Sequence, residues 1–482
     1  MNVIEPVLLQ CRHQPDALAL CAPGTPLNMV SYGRLERFIN TMARRARSFG
    51  LAPGNVVAVV VADVIVHAML TLALARLGIV TLSAKGLVFP AGLHLDAVVT
   101  EQAPAGAGPA RMIPFDMSWM EGDGKPIENP PDVRADDLCR ITLTSGTTGD
   151  PKTIGLTHRE VAERIARHQY IFGPLAARCA RSFCDLGLTI NLGFLYLLDM
   201  LWRGGVFMFR GVNAEVTLQA FGLYQIQGMI MSPAALAEFL GYYEQFPTHQ
   251  GNMQLVLSGG SVVSPALADR FRARVCSTLV SFYGATEVHG VAAAPVQAIQ
   301  HISGAAGYLL PGVTVEAVDQ SDRVLPCGQE GLLRTRGPCN IAGYINDEAA
   351  TGSVFRDGSF YSGDIGTVRE DGLLIVTGRE KSIVNLGGDK INPELIERAL
   401  NAFGTVADAA VFAIPNALGI DELYAAVVWR HGAADENGLR THCQSNLPLA
   451  FRPAHYIAVA KIPRNDAGKI DRRLLPECAR SH

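Results

Sequence analysis

Nine consecutive residues, Thr144-Ser145-Gly146-Thr147-Thr148-Gly149-Asp150-Pro151-Lys152, combine two glycines, four hydroxyl side chains and one lysine. The chemistry such a set can do is polyphosphate binding. Glycines let the backbone approach an anion and turn its N–H groups inward, hydroxyls donate to phosphate oxygens, and the lysine adds a point charge. The run is not the Walker-type loop, because Pro151 stands where that motif places glycine before its lysine. The same residue types also make an ordinary exposed loop.

Four further clusters carry chemistry. Ser281-Phe282-Tyr283-Gly284-Ala285-Thr286-Glu287 sets an aromatic face, a hydroxyl and a carboxylate close together, which can stack on a base, bond a phosphate oxygen and hold Mg²⁺; a strand end with a core tyrosine fits it too. Tyr361-Ser362-Gly363-Asp364 puts a carboxylate on a short glycine turn, where it can accept hydrogen bonds from two ribose hydroxyls or simply cap the turn. Leu255 to Ser261 reads as a strand running into the tight turn Gly259-Gly260-Ser261, against which a ligand can sit. Pro463-Arg464-Asn465-Asp466-Ala467-Gly468-Lys469 brings a lysine near the end of the chain, a place where lysines are ordinarily solvated.

The elements that must position these groups follow from periodicity. Leu138 to Leu143 reads as a strand leading into the first loop, and Thr157 with Glu160 forms a capping box that starts a helix through Val161 and Ile165. Tyr32 opens a helix with Leu35, Ile39 and Met42 on one face, Val56–Val61 is a β-branched run suited to a buried parallel strand, and a helix follows through Met69–Leu77. Residues 101–136, rich in Gly, Pro and Asp, read as surface connection. Residues 313–345 read as a small antiparallel unit, and residues 382–482 as a compact α+β domain. Strands alternating with helices imply an α/β layered domain.

Composition narrows the class. The 482 residues are 49% hydrophobic and 18% charged, with a net charge of −4, which fits a multidomain globular protein and gives no basic footprint for nucleic acid. Ten cysteines lie scattered without a Cys-x-x-Cys pair or zinc spacing, as expected of reduced thiols in a cytoplasmic enzyme. No secretory signal is visible, and the most apolar region, residues 56–82, is broken by Asp63, His67 and Arg76, so no membrane span is expected. His158 and His289 adjoin motifs and are expected to be polar loop residues rather than bases. Asp185 has no assigned role.

Taken together and in this order, the motifs resemble those of the adenylate-forming enzymes, the superfamily of AMP-dependent acyl-CoA synthetases, peptide-synthetase adenylation domains and luciferases. The resemblance runs from about residue 20 to 475. It implies an α/β fold with a large N-terminal domain of several subdomains including a β-rich one, followed by a small α+β C-terminal domain. It implies ATP, Mg²⁺ and coenzyme A as cofactors and a small-molecule carboxylic acid as substrate. It implies that Thr144, Ser145, Gly146, Thr147, Thr148, Gly149 and Lys152 hold the phosphates. Gly259, Gly260 and Ser261 would line the acyl and adenine sites, with Ser261 replacing the family's alanine. Tyr283, beside Gly284, would stack on adenine, Thr286 would contact phosphate and Glu287 would hold the metal. Asp364 would bind the ribose, and Arg379 in Gly378-Arg379-Glu380-Lys381 the ribose or phosphate. Lys381 matches the hinge, dividing an N-terminal domain at 1–380 from a mobile C-terminal domain at 381–482, and Lys469 would reach the acyl carboxylate and α-phosphate. Gly387 and Gly388 resemble the glycines flanking the pantetheine tunnel of acyl-CoA synthetases, which favours coenzyme A as acceptor. Loading of a carrier-protein phosphopantetheine is the alternative, and a non-catalytic nucleotide binder a lesser one. Where many relatives carry an aromatic residue or histidine at the pocket mouth, this chain has Leu186-Gly187-Leu188-Thr189-Ile190-Asn191, which implies an apolar pocket without a ring gate.

Overall fold

The computed structural model describes residues 2–90, 92–101, 110–144, 151–246, 252–380, 384–386, 389–391, 393–415, 421–430, 434–466 and 468–480. The runs Ser145–Asp150 and Gly387–Gly388 and the hinge candidate Lys381 therefore lie outside the described residues.

A six-stranded sheet has the order Arg111–Pro114, Ala97–Thr100, Val56–Val60, Val80–Ser83, Leu138–Thr144, Lys152–Thr157. All neighbours are parallel except the last pair, whose antiparallel register sets Thr144 opposite Lys152. The β-branched central strands are buried, as parallel strands covered on both faces must be. Helix Tyr32–Ser48 turns Leu35, Ile39 and Met42 inward, as its spacing predicts. Helix Val64–Arg76 is apolar around most of its circumference and buried accordingly; Asp63 caps it, accepting from the N–H groups of Ile65 and Val66 at 2.9 and 3.0 Å. His67 on this helix is buried and held neutral, its pKa pushed down to about 4 by desolvation.

A larger sheet runs through Thr314–Val318, Gly331–Arg336, Ser359–Val368, Leu373–Arg379, Ala305–Leu309, His289–Pro295, Leu279–Ala285, Leu255–Gly259, Gly228–Met231, Arg181–Cys184, Val206–Met208, Leu18–Cys21 and Met29–Ser31. From Leu279–Ala285 to Leu18–Cys21 its neighbours are parallel; on the other side of Leu279–Ala285 every pairing is antiparallel. The strand that ends in the Tyr283 motif is thus the seam between the two regimes. The strands at 314–379 are not a free-standing antiparallel unit, as residues 313–345 alone suggest. They continue the ladder because Leu373–Arg379 pairs with Ala305–Leu309.

A small C-terminal domain has strands Val406–Pro415 and Asp421–Trp429 paired antiparallel, with His455–Ala458 parallel to the second. Helices Pro393–Asn401 and Glu436–Asn446 cover it, around a core of its own that includes Ile396, Leu400, Val411, Leu423, Val427 and Leu439.

Residues 101–136 are more than a surface connection. They include the edge strand Arg111–Pro114 and a 3₁₀ turn, Met117–Met120, that buries Trp119 against Phe49 at 5.4 Å. Proline, glycine and aspartate dominate the stretch and hide so short a strand. Eight of the ten cysteines are buried, and all ten are free. Among the described residues no helix is long and apolar enough to cross a membrane.

Arg140 joins the six-stranded sheet to the segment ahead of helix Asn191–Trp202. It is fully buried, donates to Ser83 Oγ at 3.0 Å and to the Leu188 carbonyl, and lies 4.3 Å from the Phe194 ring centroid. Burial lowers its pKa to about 10, so it stays charged at neutral pH. Arg140→Ala removes those bonds and leaves a cavity. The expected loss is about 2–4 kcal/mol of stability, read as a lower urea midpoint at unchanged slope.

Candidate active site

The capping box at the start of the helix His158–Ala176 is formed as its sequence predicts: Thr157 Oγ1 accepts from the Glu160 N–H at 3.1 Å, and Glu160 Oε2 accepts from the Thr157 N–H at 2.7 Å. This fixes the exit of the strand that Lys152 begins. The Lys152 ammonium reaches across to Asp347 Oδ2 at 2.8 Å.

Leu279–Ala285 and His289–Pro295 are joined by the three-residue turn Thr286–Val288, so Thr286 and Glu287 sit at the tip of a hairpin on the seam of the large sheet. Gly284 is obligatory there, since a Cβ would meet the His289 carbonyl oxygen at 2.0 Å. Arg164, fully buried on the capped helix, donates to the Thr286 carbonyl at 2.8 Å and to that of Cys339 at 2.9 Å, which clamps the turn. The Glu287 carboxylate is buried and accepts from the Tyr344 hydroxyl at 2.9 Å.

Asp364 is not on a short turn. It lies within strand Ser359–Val368, directly opposite Arg379 in the ladder, and Gly363 before it takes φ +76°. The glycine between Ser362 and Asp364 is what made the segment look like a turn; the flanking pairings hold it in a strand. Asp364 is buried and doubly engaged: Oδ1 accepts from Arg379 Nε at 2.9 Å and Oδ2 from the Tyr283 hydroxyl at 2.5 Å. Burial first, then the Asp364 charge, push the Tyr283 phenol well above its ordinary pKa, so it remains a neutral donor. Gly259 is the register partner of Phe282, so the Gly259-Gly260-Ser261 turn borders the same strand, with Gly260 at φ +96°.

Lys469 arrives from the C-terminal domain on a closed loop. Its N–H donates to Asn465 Oδ1 at 3.0 Å, and the Asn465 N–H donates back to the Lys469 carbonyl at 2.8 Å. Gly468, at φ +75°, packs so closely on the large domain that a Cβ would meet Ser232 Oγ at 2.6 Å, and Asp466 pairs with Lys85 of that domain at 2.7 Å. The half-buried Lys469 has a lowered pKa: burial and the Arg379 charge depress it, against the opposing pull of Asp364, Glu287 and Glu394. Of these groups Arg379, Asp364 and Glu287 belong to the large domain, and Glu394 to the C-terminal domain.

Tyr283 and Arg379 thus both bond Asp364, Glu287 and Thr286 cap the adjoining hairpin, and the Lys469 loop docks on the large domain through Gly468 and Asp466. Lys152 and Thr144 flank the first loop and are tied to the site through Asp347 rather than by direct contact with these groups. Sequence reasoning missed Arg164, Tyr344 and Asp347. Tyr344 falls at the end of the stretch read as a small antiparallel unit, Asp347 just beyond it, and Arg164 is one position on a helix, so none stood out.

Neither histidine is a polar loop residue. His158 begins a helix, is fully buried, and its Nδ1 accepts from the Val3 N–H at 3.2 Å; burial holds its pKa near about 4. His289 is buried at a strand start and pushed well below its usual value by desolvation, then by Arg164, His168 and Arg167. Asp185 pairs with Arg210 at 3.0 Å. Beside the Tyr283 strand, a small cleft is lined by apolar Ile171, Phe172, Phe282 and Leu310 together with Arg167, His168 and His289.

Known proteins resemble this chain in sequence and in fold. The pattern of the AMP-binding enzymes matches residues 91–345, and that of the AMP-binding enzyme C-terminal domain matches residues 395–469. The 4-chlorobenzoate–CoA ligase of an Arthrobacter species is 26% identical over 100% of this chain and 96% of its own length. The fatty acid–[acyl-carrier-protein] ligase MmaC of Mycobacterium marinum is 25% identical over 99% and 98%. The fold of ATP-bound MatB from Rhodopseudomonas palustris superimposes with a TM-score of 0.82 at 23% identity, covering 99% of each chain. The chain belongs to the AMP-binding enzymes, the adenylate-forming superfamily of acyl-CoA synthetases and ligases.

Proposed function

We propose that the chain couples a small carboxylic acid to ATP, forming acyl-AMP and pyrophosphate, and then transfers the acyl group to the thiol of coenzyme A, releasing AMP. The observation that carries this reading is the meeting of Tyr283 and Arg379 on Asp364 beside the Glu287 hairpin, with the Lys469 loop of the other domain docked on the large domain through Gly468 and Asp466. Asp364 binds the ribose, held in place by Tyr283 and Arg379. The Tyr283 ring stacks on adenine, against the turn formed by Gly259, Gly260 and Ser261. Thr286 and the loop from Thr144 to Lys152 bind the phosphates. As the acid's carboxylate oxygen attacks the α-phosphorus, the P–O bond to pyrophosphate breaks, and Lys469 offsets the charge that develops between the two reactants.

Glu287 is the metal-binding carboxylate. Among the described residues no group of three or more His, Cys, Asp or Glu side chains can hold a metal ion. A lone buried carboxylate next to phosphate-binding groups fits Mg²⁺ that comes with the nucleotide, whose phosphates and waters complete its shell. When bound, Mg²⁺ neutralises phosphate charge. In the second half, the C-terminal domain, residues 381–482, rotates about Lys381, Lys469 leaves, and Gly387 and Gly388 border the thiol's path. Carrier-protein loading is the second reading, favoured by the resemblance to MmaC at nearly the same identity as the CoA ligase.

Pyrophosphate release from ATP and Mg²⁺ across a panel of aliphatic, aromatic and amino acids tests both. Release that needs an acid and turns over only with coenzyme A supports the first reading. Turnover only with a phosphopantetheinylated carrier supports the second, and silence across the panel overturns both.

A further inference from the structure

One short segment touches both ends of the phosphate-handling machinery. Residues 343–347 connect the turn after Gly331–Arg336 to helix Glu348–Val354. Within it, the Tyr344 hydroxyl donates to Glu287 Oε1 at 2.9 Å, and Asp347 Oδ2 accepts from the Lys152 ammonium at 2.8 Å. The partners lie 57 and 195 residues away in sequence. The backbone is pinned at the same two places. The Ile341 N–H donates to the Glu287 carbonyl at 2.9 Å, and the Ile345 N–H donates to the Thr153 carbonyl at 2.9 Å. The segment's own shape is set by Thr351, whose Oγ1 accepts from the Tyr344 N–H at 2.9 Å, and by Asp347, whose Oδ1 caps the following helix through the Ala350 N–H at 2.9 Å. Gly343 has no room for a Cβ, which would meet Thr351 Cγ2 at 2.5 Å.

We propose that Gly343–Asp347 is a positioning strap in which Tyr344 aims the Glu287 carboxylate and Asp347 holds the Lys152 ammonium, so that one backbone segment sets the spacing between the metal-binding and phosphate-binding groups. The inference rests on the roles given above to Glu287 and Lys152. Tyr344 and Asp347 touch neither reactant in this account; they act through their partners. A carboxylate with one oxygen committed to a phenol has its other oxygen oriented for a metal. A lysine left without a partner samples many rotamers, and fixing it beforehand removes that cost from binding.

The test uses the full chain and acid-dependent ATP–pyrophosphate exchange, titrated with Mg²⁺ at fixed ATP and with ATP at saturating Mg²⁺. Tyr344→Phe keeps the ring that packs on Phe355 at 5.9 Å and deletes only the hydroxyl. It is expected to raise the Mg²⁺ concentration for half-maximal rate about fivefold, with the KM for the acid unchanged. Asp347→Asn is expected to raise the KM for ATP about fivefold and leave the Mg²⁺ titration in place, and Asp347→Glu to restore at least half of that loss. A fall in kcat or melting temperature without movement of the Mg²⁺ or ATP titrations marks a merely structural segment and overturns the proposal, as do unchanged titrations in both variants. Glu287→Gln separates this from failure of the underlying reading. If that variant leaves the Mg²⁺ dependence of the wild type intact, the metal role of Glu287 falls. If it shifts the dependence while Tyr344→Phe does not, only the strap falls.

Discussion

Lys469→Ala is expected to slow acid-dependent ATP–pyrophosphate exchange by a factor of about 10²–10³ while sparing thioester formation from supplied acyl-AMP. The reason is electrostatic: Lys469, on a C-terminal loop that docks on the large domain through Gly468 and Asp466, is influenced by Asp364, Glu287 and Arg379 of that domain. In the proposed reading, removing it takes positive charge from the place where carboxylate and phosphate approach each other. Equal losses in both half-reactions would remove Lys469 from an adenylation-only role. The pH profile gives a second readout. Burial, then Arg379, lowers the Lys469 pKa, so its ammonium loses its proton at a lower pH than an ordinary lysine, whose pKa is about 10.4. Adenylation needs the charged form, so its rate should fall on the alkaline side earlier than ordinary lysine titration allows. Lys469→Arg, whatever its residual rate, should carry that alkaline fall out of the accessible range, because a guanidinium keeps its proton.

Asp364→Asn is the second large effect. The carboxylate accepts from both Tyr283 and Arg379, and the amide can satisfy neither partner as an anion does. Loss of a charged acceptor is worth about 1.5–3 kcal/mol, so the KM for ATP is expected to rise by roughly 10–150-fold, with the KM for the acid little changed. Tyr283→Phe serves as the contrast. It keeps the stacking ring and removes one orienting hydrogen bond, so a rise in the KM for ATP of about fivefold or less is expected. A larger effect for Tyr283→Phe than for Asp364→Asn would mean that the phenol, not the carboxylate, contacts the nucleotide. Titration of ATP against each variant, with the melting temperature followed in parallel, decides this.

The amino-acid sequence by itself determined the parts and their order. Apolar spacing and β-branched runs were enough for the helix Tyr32–Ser48, the strand Val56–Val60 and the strand leading into the first loop, because burial of one face or both leaves a period that can be counted. The capping box at Thr157 and Glu160 was legible for a similar reason: both partners lie within one turn of chain. The motifs named Tyr283, Glu287, Asp364, Arg379 and Lys469 one by one. What only the tertiary structure decided is which of them meet. Asp364 finds Tyr283 across 81 residues, and Arg379 only because two strands pair in one register. Tyr344 and Asp347 received no role because their partners, Glu287 and Lys152, are distant in sequence, and no local periodicity records a contact between separate strands and loops. The same limit explains His158 and His289. A histidine's local neighbours do not say whether the fold will close over it, and burial, which sets its charge, is a property of the whole packed chain.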